Sequence, residues 1–407
     1  MASVVIVGAG PSGCFTAQAL LKALPGVQVD ILDRLPVPYG LVRYGVAPDH
    51  QGTKAVTRQF DRLFDRQGVG FFGNVRLGAD VALDELALIH DAVVLATGLS
   101  GDRRLGIPGE DLPGVHASGA VTRAWNDHPD ALGWCPMPGR EVIVIGNGNV
   151  AIDLVRLLAK SPPEFAGSDL APRHVAALAQ AGPRRITVIG RNGADAARFD
   201  PVMLRELGRL EAARISVLGA RGDGKVTEAM AAIDGHAPAE AKHQITFRFG
   251  WTPRALTGQG HVAAATFDAT DGSGATLDLP CDTFLTAIGF EPADPALSGL
   301  HATDNGFVRP GLYATGWFRR GPRGTIPENR ADAQIVAARI AADLSRVQTP
   351  RPGRAALAAR LPGAVSHDGW LRIDQAERDR APPDRCRLKF PDTDSLLTIA
   401  RQTGAAR

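Results

Sequence analysis

The stretch Val4-Val5-Ile6-Val7-Gly8-Ala9-Gly10-Pro11-Ser12-Gly13 constrains this chain more than any other. Four consecutive apolar residues predict a strand buried on both faces, as in a parallel sheet. Gly8, Gly10 and Gly13 follow at G-x-G-x-x-G spacing, and Cys14 to Leu24 continues with helical character. Each glycine has its own physical task. The first permits the tight turn, the second admits a pyrophosphate to the backbone, and the third lets helix and strand pack closely. Unpaired N–H groups and partial positive charge at the helix start then favour phosphate. A second apolar strand, Val27 to Asp33, ends in a carboxylate where an acceptor for a ribose hydroxyl belongs. A lone glycine motif is only a glycine-rich turn; strand, turn, helix, strand and acid together predict a dinucleotide site.

The pattern recurs. Glu141-Val142-Ile143-Val144-Ile145-Gly146-Asn147-Gly148-Asn149-Val150-Ala151 is a second strand–turn–helix, with alanine at the third glycine position. Two such folds imply two nucleotide cofactors and electron transfer between them. After the next strand, Arg185 to Gly190, come Arg191-Asn192-Gly193. An acid here suits a 2′-hydroxyl and an arginine suits a 2′-phosphate, so Arg191 favours NADP.

A length of 407 residues suggests two or three domains, and 44% hydrophobic with 22% charged residues is a globular composition. No apolar run reaches roughly eighteen residues, so no membrane span is expected. The N-terminus enters a core strand at once, leaving no room for a signal peptide. The four cysteines (Cys14, Cys135, Cys281, Cys386) are far apart, which gives neither a metal-ligand pattern nor a redox disulfide and points to a cytoplasmic location. A net charge of +2 argues against nucleic acid binding. Basic clusters at Arg103-Arg104, Arg184-Arg185, Arg319-Arg320 with Arg323, and Arg58/Arg62/Arg66 read mostly as solvated faces, any one of which is a candidate to dock an acidic partner.

Between these landmarks, Leu35 to His50 reads as a long rigid loop running to a helix near Thr53. His50 is either a helix-entry residue or a proton donor beside a ring. A strand over Gly68 to Val75, a helix over Leu83 to Ile89 and an apolar strand over Ala92 to Gly98 follow. Gly106 to Gly119 reads as a crossover between domains, Ser161 to Pro183 as a Pro- and Ala-rich insertion, and Arg221 to Asp278 as a β-rich excursion. Strands over Cys281 to Phe290 and Gly311 to Trp317, a Gly-rich turn and a helix over Asn329 to Leu344 offer a place for a ring and its ribityl chain. Past Pro350 to Pro352 the tail is polar with short apolar runs.

Three segments go beyond spacing: Pro38 to His50, Gly148 to Asp153, and Gly316-Trp317-Phe318-Arg319-Arg320-Gly321-Pro322-Arg323-Gly324-Thr325-Ile326. With Asp368 to Glu377 in the tail, they resemble adrenodoxin reductase and the bacterial ferredoxin–NADP reductases over nearly the whole chain. The resemblance implies an α/β fold of two Rossmann-like dinucleotide-binding domains, the NAD(P) domain (106–308) inserted into the FAD domain (1–105 and 309–407). It implies hydride transfer from NADPH to flavin N5 and single-electron transfer to an acidic [2Fe-2S] ferredoxin by a protein expected to be monomeric. The FAD contacts so implied are Gly8, Gly10, Pro11, Ser12, Gly13, Asp33 (where the family commonly has Glu), Gly40, Leu41, Trp317, Gly324, Thr325 and Ile326, and Arg103 is a further cofactor contact. The nicotinamide-nucleotide contacts are Gly146, Asn147, Gly148, Asn149, Val150, Arg191 and Asn192. His50, Asp153 and Glu206 match positions near the reacting rings, where orientation and tuning matter more than acid–base power.

The chain departs from the family at the 2′-phosphate. The family pattern Gly-Arg-Arg-Gly is Gly190-Arg191-Asn192-Gly193 here, and Met203 stands where a glutamate is expected. One charge-assisted contact, about 1.5–3 kcal/mol, is lost, which predicts weakened discrimination against NADH. The ferredoxin-binding basic segment is thin, with Arg221 and Lys225 alone. Two other readings compete: a two-electron flavoprotein reducing a quinone or other small organic acceptor, and a binding module without turnover. Intact glycines in both turns argue against the second.

Overall fold

The computed structural model describes residues 1–220, 222–324, 326–345 and 349–402. The chain divides into two compact units, Met1–Gly101 with Asn126–Leu132 and Phe290–Arg407, and Asp102–Trp125 with Gly133–Gly289.

The first unit is built on a six-stranded sheet whose order is Phe307–Arg309, Leu312–Ala314, Ala92–Leu95, Ser3–Val7, Gln28–Leu32, Gly70–Phe72. All pairings are parallel except the Phe307–Arg309 edge. Alternation explains the apolar run of the first strand. Val4 and Ile6 face a core containing Cys14, Ala17 and Leu20 of the helix Pro11–Ala23. Val5 and Val7 face the opposite core with Leu86, Leu95 and Leu357. Ala333, Val336, Ala337 and Ile340 of the helix Ile326–Leu344 join the first of these cores, the two alanines suiting close helix packing.

Two expectations for this unit change. The segment from Leu35 to His50 is not a plain loop: it holds a helical turn, Gly40–Tyr44, entered through Tyr39 at φ 82°. The tail folds into the helices Arg354–Arg360, His367–Asp379 and Thr393–Ala400. Leu357, Trp370, Ile373 and Leu396 are at most 3% exposed, so its short apolar runs complete both cores.

The second unit has its own six-stranded, all-parallel sheet in the order Val115–Ala117, Thr283–Thr286, Glu141–Ile145, Arg185–Gly190, His243–Phe249, Ala213–Leu218. The stretch read as a crossover thus contributes this sheet's edge strand. The Pro-rich insertion is largely helical, with a turn at Pro162–Phe165 and a helix at Pro172–Ala181. Proline at the first helical position starts a helix instead of breaking it. Past Arg221, which lies outside the described residues, the excursion opens with the helix Lys225–Ile233, sends His243–Phe249 into the main sheet, and only then forms the antiparallel sheet Trp251–Thr257, Ala264–Ala269, Thr276–Pro280.

Candidate functional site

In the first unit the glycines of the turn divide by physical role. Gly8 sits at φ 114°, and a Cβ there would lie 2.4 Å from Ala96 O. A Cβ on Gly13 would lie 2.0 Å from Gly8 O. Both are demanded by the fold itself. Gly10 is different: it caps the helix in ordinary extended backbone (φ −72°, ψ −178°), and an added Cβ would meet only Gly40 Cα, at 4.0 Å. The protein leaves this space open on its own account, at the N-terminus of a helix whose first residue is Pro11.

The surroundings fit an elongated phosphate-bearing group. Asp33 accepts from Ala9 N at 2.8 Å and Leu35 N at 2.9 Å, which ties the end of the second strand to the turn. Burial pushes its carboxyl above the ordinary value, and the two N–H donors act the other way. Gly40 at φ 45° stands against Gly10, and the next residue, Leu41, is 40% exposed while Val42, Arg43 and Tyr44 are buried. Ser12 Oγ lies 3.1 Å from Asn329 Oδ1, joining the first turn of Pro11–Ala23 to that of Ile326–Leu344. Two helix N-termini thereby serve one locality. Gly316, at φ 67°, has Ser12 Oγ 1.9 Å from its would-be Cβ, and its N–H donates to Asp332 at 2.5 Å. Trp317 follows, stacked on Phe290 (5.8 Å, 24°), with a buried Nε1–H that has no hydrogen-bond partner among the described residues. An orphaned donor, an exposed leucine and an open glycine fit FAD. Gly324 is exposed before the helix, and Thr325 lies outside the described residues.

The second turn repeats this division. Gly146 is at φ 138°, with Ala287 O 2.2 Å from a would-be Cβ, whereas Gly148 is extended (φ −126°, ψ 173°) with nothing within 4 Å. Asn147 lies over Gly190, whose Cβ would meet its Nδ2 at 2.2 Å, and Asn147 Oδ1 is buried without a partner among the described residues. Asn149 Oδ1 accepts from Asp200 N at 2.7 Å, and the half-buried Val150 continues the helix Asn149–Ala159. Arg191 and Asn192 are exposed just past the strand end; neither side chain has a hydrogen bond or ion pair among the described residues. The open middle glycine, the orphaned amide oxygen and the bare arginine fit a nicotinamide nucleotide.

Of the other expected residues, Asp153 and Glu206 are drawn together by a residue that sequence reading passed over. Arg156 is 2.8 Å from Asp153 and 3.8 Å from Glu206, itself nearly buried. Its i, i+3 spacing from Asp153 on one helix was the available signal. His50, half-buried, caps the helix Gln51–Lys54, with its carbonyl accepting from Lys54 N at 3.1 Å. Arg103 is exposed in the second unit, where its N–H donates to Gly289 O at 3.1 Å. Asn329 and Asp332 were also missed; neither has a local signature.

Among the described residues no disulfide joins any of the four cysteines, no His/Cys/Asp/Glu group is placed to hold a metal, and no helix is long and apolar enough to cross a membrane.

Residues 2–310 match the pyridine nucleotide-disulphide oxidoreductase family model, and the chain belongs to that family. Within it, the chain falls among the adrenodoxin reductases and bacterial ferredoxin–NADP reductases. Cindoxin reductase of Citrobacter braakii is 43% identical over 98% of this chain and 91% of its own length. NADPH:adrenodoxin oxidoreductase of Arabidopsis thaliana is 33% identical over 98% and 95%. A solved structure of Mycobacterium tuberculosis FprA in complex with NADPH superposes with a TM-score of 0.90 at 32% identity, covering 98% of this chain and 99% of that one.

Proposed function

We propose that this protein is an FAD-dependent reductase that takes hydride from NADPH, accepts NADH as well, and passes single electrons to an acidic [2Fe-2S] ferredoxin. The carrying observation is the pair of turns in which only the middle glycine, Gly10 or Gly148, is not required by the fold. Relatives named as reductases of cindoxin, ferredoxin and adrenodoxin, matched over nearly the full chain, support a carrier protein as the electron acceptor. Bound FAD would supply the exchange between two-electron and one-electron chemistry.

The chain's own residues bind and orient. Gly10, Pro11, Ser12 and the start of the helix Ile326–Leu344 would hold the FAD pyrophosphate, Asp33 a ribose hydroxyl, and Leu41 and Trp317 the ring. Gly148, Asn149 and Val150 would hold the pyrophosphate of NADPH, and Arg191 its 2′-phosphate. Arg156 fixes Asp153 and Glu206 as positioning groups, and His50, at its own helix entry, is a third. A cytoplasmic location accords with cysteines that form no disulfide among the described residues.

Coenzyme choice follows from charge. Asn192 removes one guanidinium, and Asp195 places a carboxylate oxygen 2.5 Å from where a Gly193 Cβ would stand, in the loop that would face the 2′-phosphate. Both features lower the margin of NADPH over NADH. Steady-state reduction of a [2Fe-2S] ferredoxin at low micromolar concentration tests the reading: rapid turnover with NADPH supports it, and turnover confined to quinones or dyes contradicts it.

A further inference from the structure

The loop that closes the second nucleotide turn carries a cation that has no partner among the described residues. Arg198 N donates to Asn147 O at 2.7 Å, and Arg198 pairs with Gly148 in a parallel bridge. Two residues on, Asp200 N donates to Asn149 Oδ1 at 2.7 Å. The segment is therefore fastened on both sides of Gly148. Ala197 and Phe199, 8% and 3% exposed, face inward, with Phe199 against Phe247. Alternation in extended backbone turns Arg198 the other way, and it is exposed. Its guanidinium makes no hydrogen bond or ion pair among the described residues. Paired backbones lie about 4.8 Å apart, so the side chain starts one strand spacing from the glycine that stands open.

We infer that Arg198 is a nucleotide-binding residue, supplying a second guanidinium to the phosphates of the coenzyme and offsetting the arginine absent at Asn192. The inference rests on the nucleotide reading of the second turn. A rigid backbone mount matters here. An arginine on a free loop loses conformational entropy on binding, whereas this backbone is already ordered and only side-chain rotamers remain to be fixed. A planar fork of N–H donors suits phosphate oxygens. Asp195, in the same loop, stands beside Gly193 and Gly222 and takes no part in the Gly148 bridge.

The test is calorimetric titration of the FAD-loaded wild type, Arg198→Ala and Arg198→Lys with NADP+ and with NAD+, which involves no turnover. Because the side chain is exposed, FAD content and melting temperature should be unchanged in both variants. Arg198→Ala should weaken NADP+ binding about tenfold or more and flatten its salt dependence, and Arg198→Lys should recover part of the loss. Equal weakening for NADP+ and NAD+ assigns the contact to the shared pyrophosphate; weakening for NADP+ alone assigns it to the 2′-phosphate. Unchanged Kd for both coenzymes in Arg198→Ala overturns the inference alone. Wild-type protein that binds neither coenzyme overturns the reductase reading and this inference with it.

Discussion

The guanidinium of Arg43 donates to the carboxylate of Glu377 at 2.5 Å, and their side chains are 5% and 0% exposed. Arg43 belongs to the helical turn that carries Gly40 and Leu41; Glu377 belongs to the tail helix His367–Asp379. Arg387 adds a second cation, 2.9 Å from Glu377 and 2.5 Å from Asp374. The tail is thus an internal clamp on the segment proposed to meet FAD. Removing the carboxylate charge strands the Arg43 guanidinium in a site shielded from water and leaves Arg387 with Asp374 alone. Glu377→Gln should cost about 3–5 kcal/mol of stability and lower FAD retention, read by thermal melting and flavin content. A melt indistinguishable from wild type contradicts the clamp.

The glycines separate fold from function. Gly148→Ala meets nothing within 4 Å at an ordinary φ, so it should leave stability within about 1 kcal/mol and still weaken coenzyme binding at least tenfold. Gly146→Ala, at φ 138° with Ala287 O 2.2 Å from the new Cβ, should instead lower the melting temperature sharply. In the first turn, Gly10→Ala and Gly8→Ala should split the same way with respect to FAD. Differential scanning calorimetry beside ligand titration distinguishes the two classes.

Coenzyme preference should move with charge at the loop after Gly190. Asn192→Arg restores a contact worth about 1.5–3 kcal/mol and should raise the NADPH-over-NADH ratio of kcat/KM by tenfold or more. Asp195→Asn should shift it the same way, more modestly, because both groups are exposed and screened. A ratio that stays fixed in both variants would place the 2′-phosphate elsewhere.

What could be read from the chain alone followed locality. The strand–turn–helix units were legible because glycine spacing and apolar runs are set by backbone geometry within a few residues. Helices at Pro172–Ala181 and Lys225–Ile233 were not, since proline at a helix start resembles a breaker and a short amphipathic run carries little periodicity. The site's supports were hidden for another reason: Ser12 finds Asn329 across 317 positions and Arg43 finds Glu377 across 334, and no local pattern encodes such a partner. Arg198 shows the same limit, being an ordinary loop arginine until its bridge to Gly148 is seen.

Acid should act through His367. Its ring stacks on Phe64 (centroids 4.8 Å apart, 23°), and burial lowers its pKa from 6.5 despite the raising effects of Asp65, Asp61 and Asp368. Below pH 6.5 the unfolded chain therefore binds this proton more readily than the folded one. Stability contributed at neutral pH is lost as pH falls from 6.5 through the depressed folded value. His367→Phe keeps the stacking and removes the proton site, so its melting temperature should fall less than that of wild type over the same acid range. Parallel melting curves across that range would contradict this.

In the proposed function, reducing equivalents enter from a nicotinamide nucleotide bound at the second turn and reach a flavin bound at the first. The most direct test is anaerobic stopped-flow mixing of the FAD-loaded protein with NADPH and, in parallel, with NADH, following loss of the oxidised-flavin band. Rapid bleaching by both, with NADPH ahead by less than a thousandfold in kcat/KM, is the predicted result. Bleaching by neither coenzyme would contradict the account.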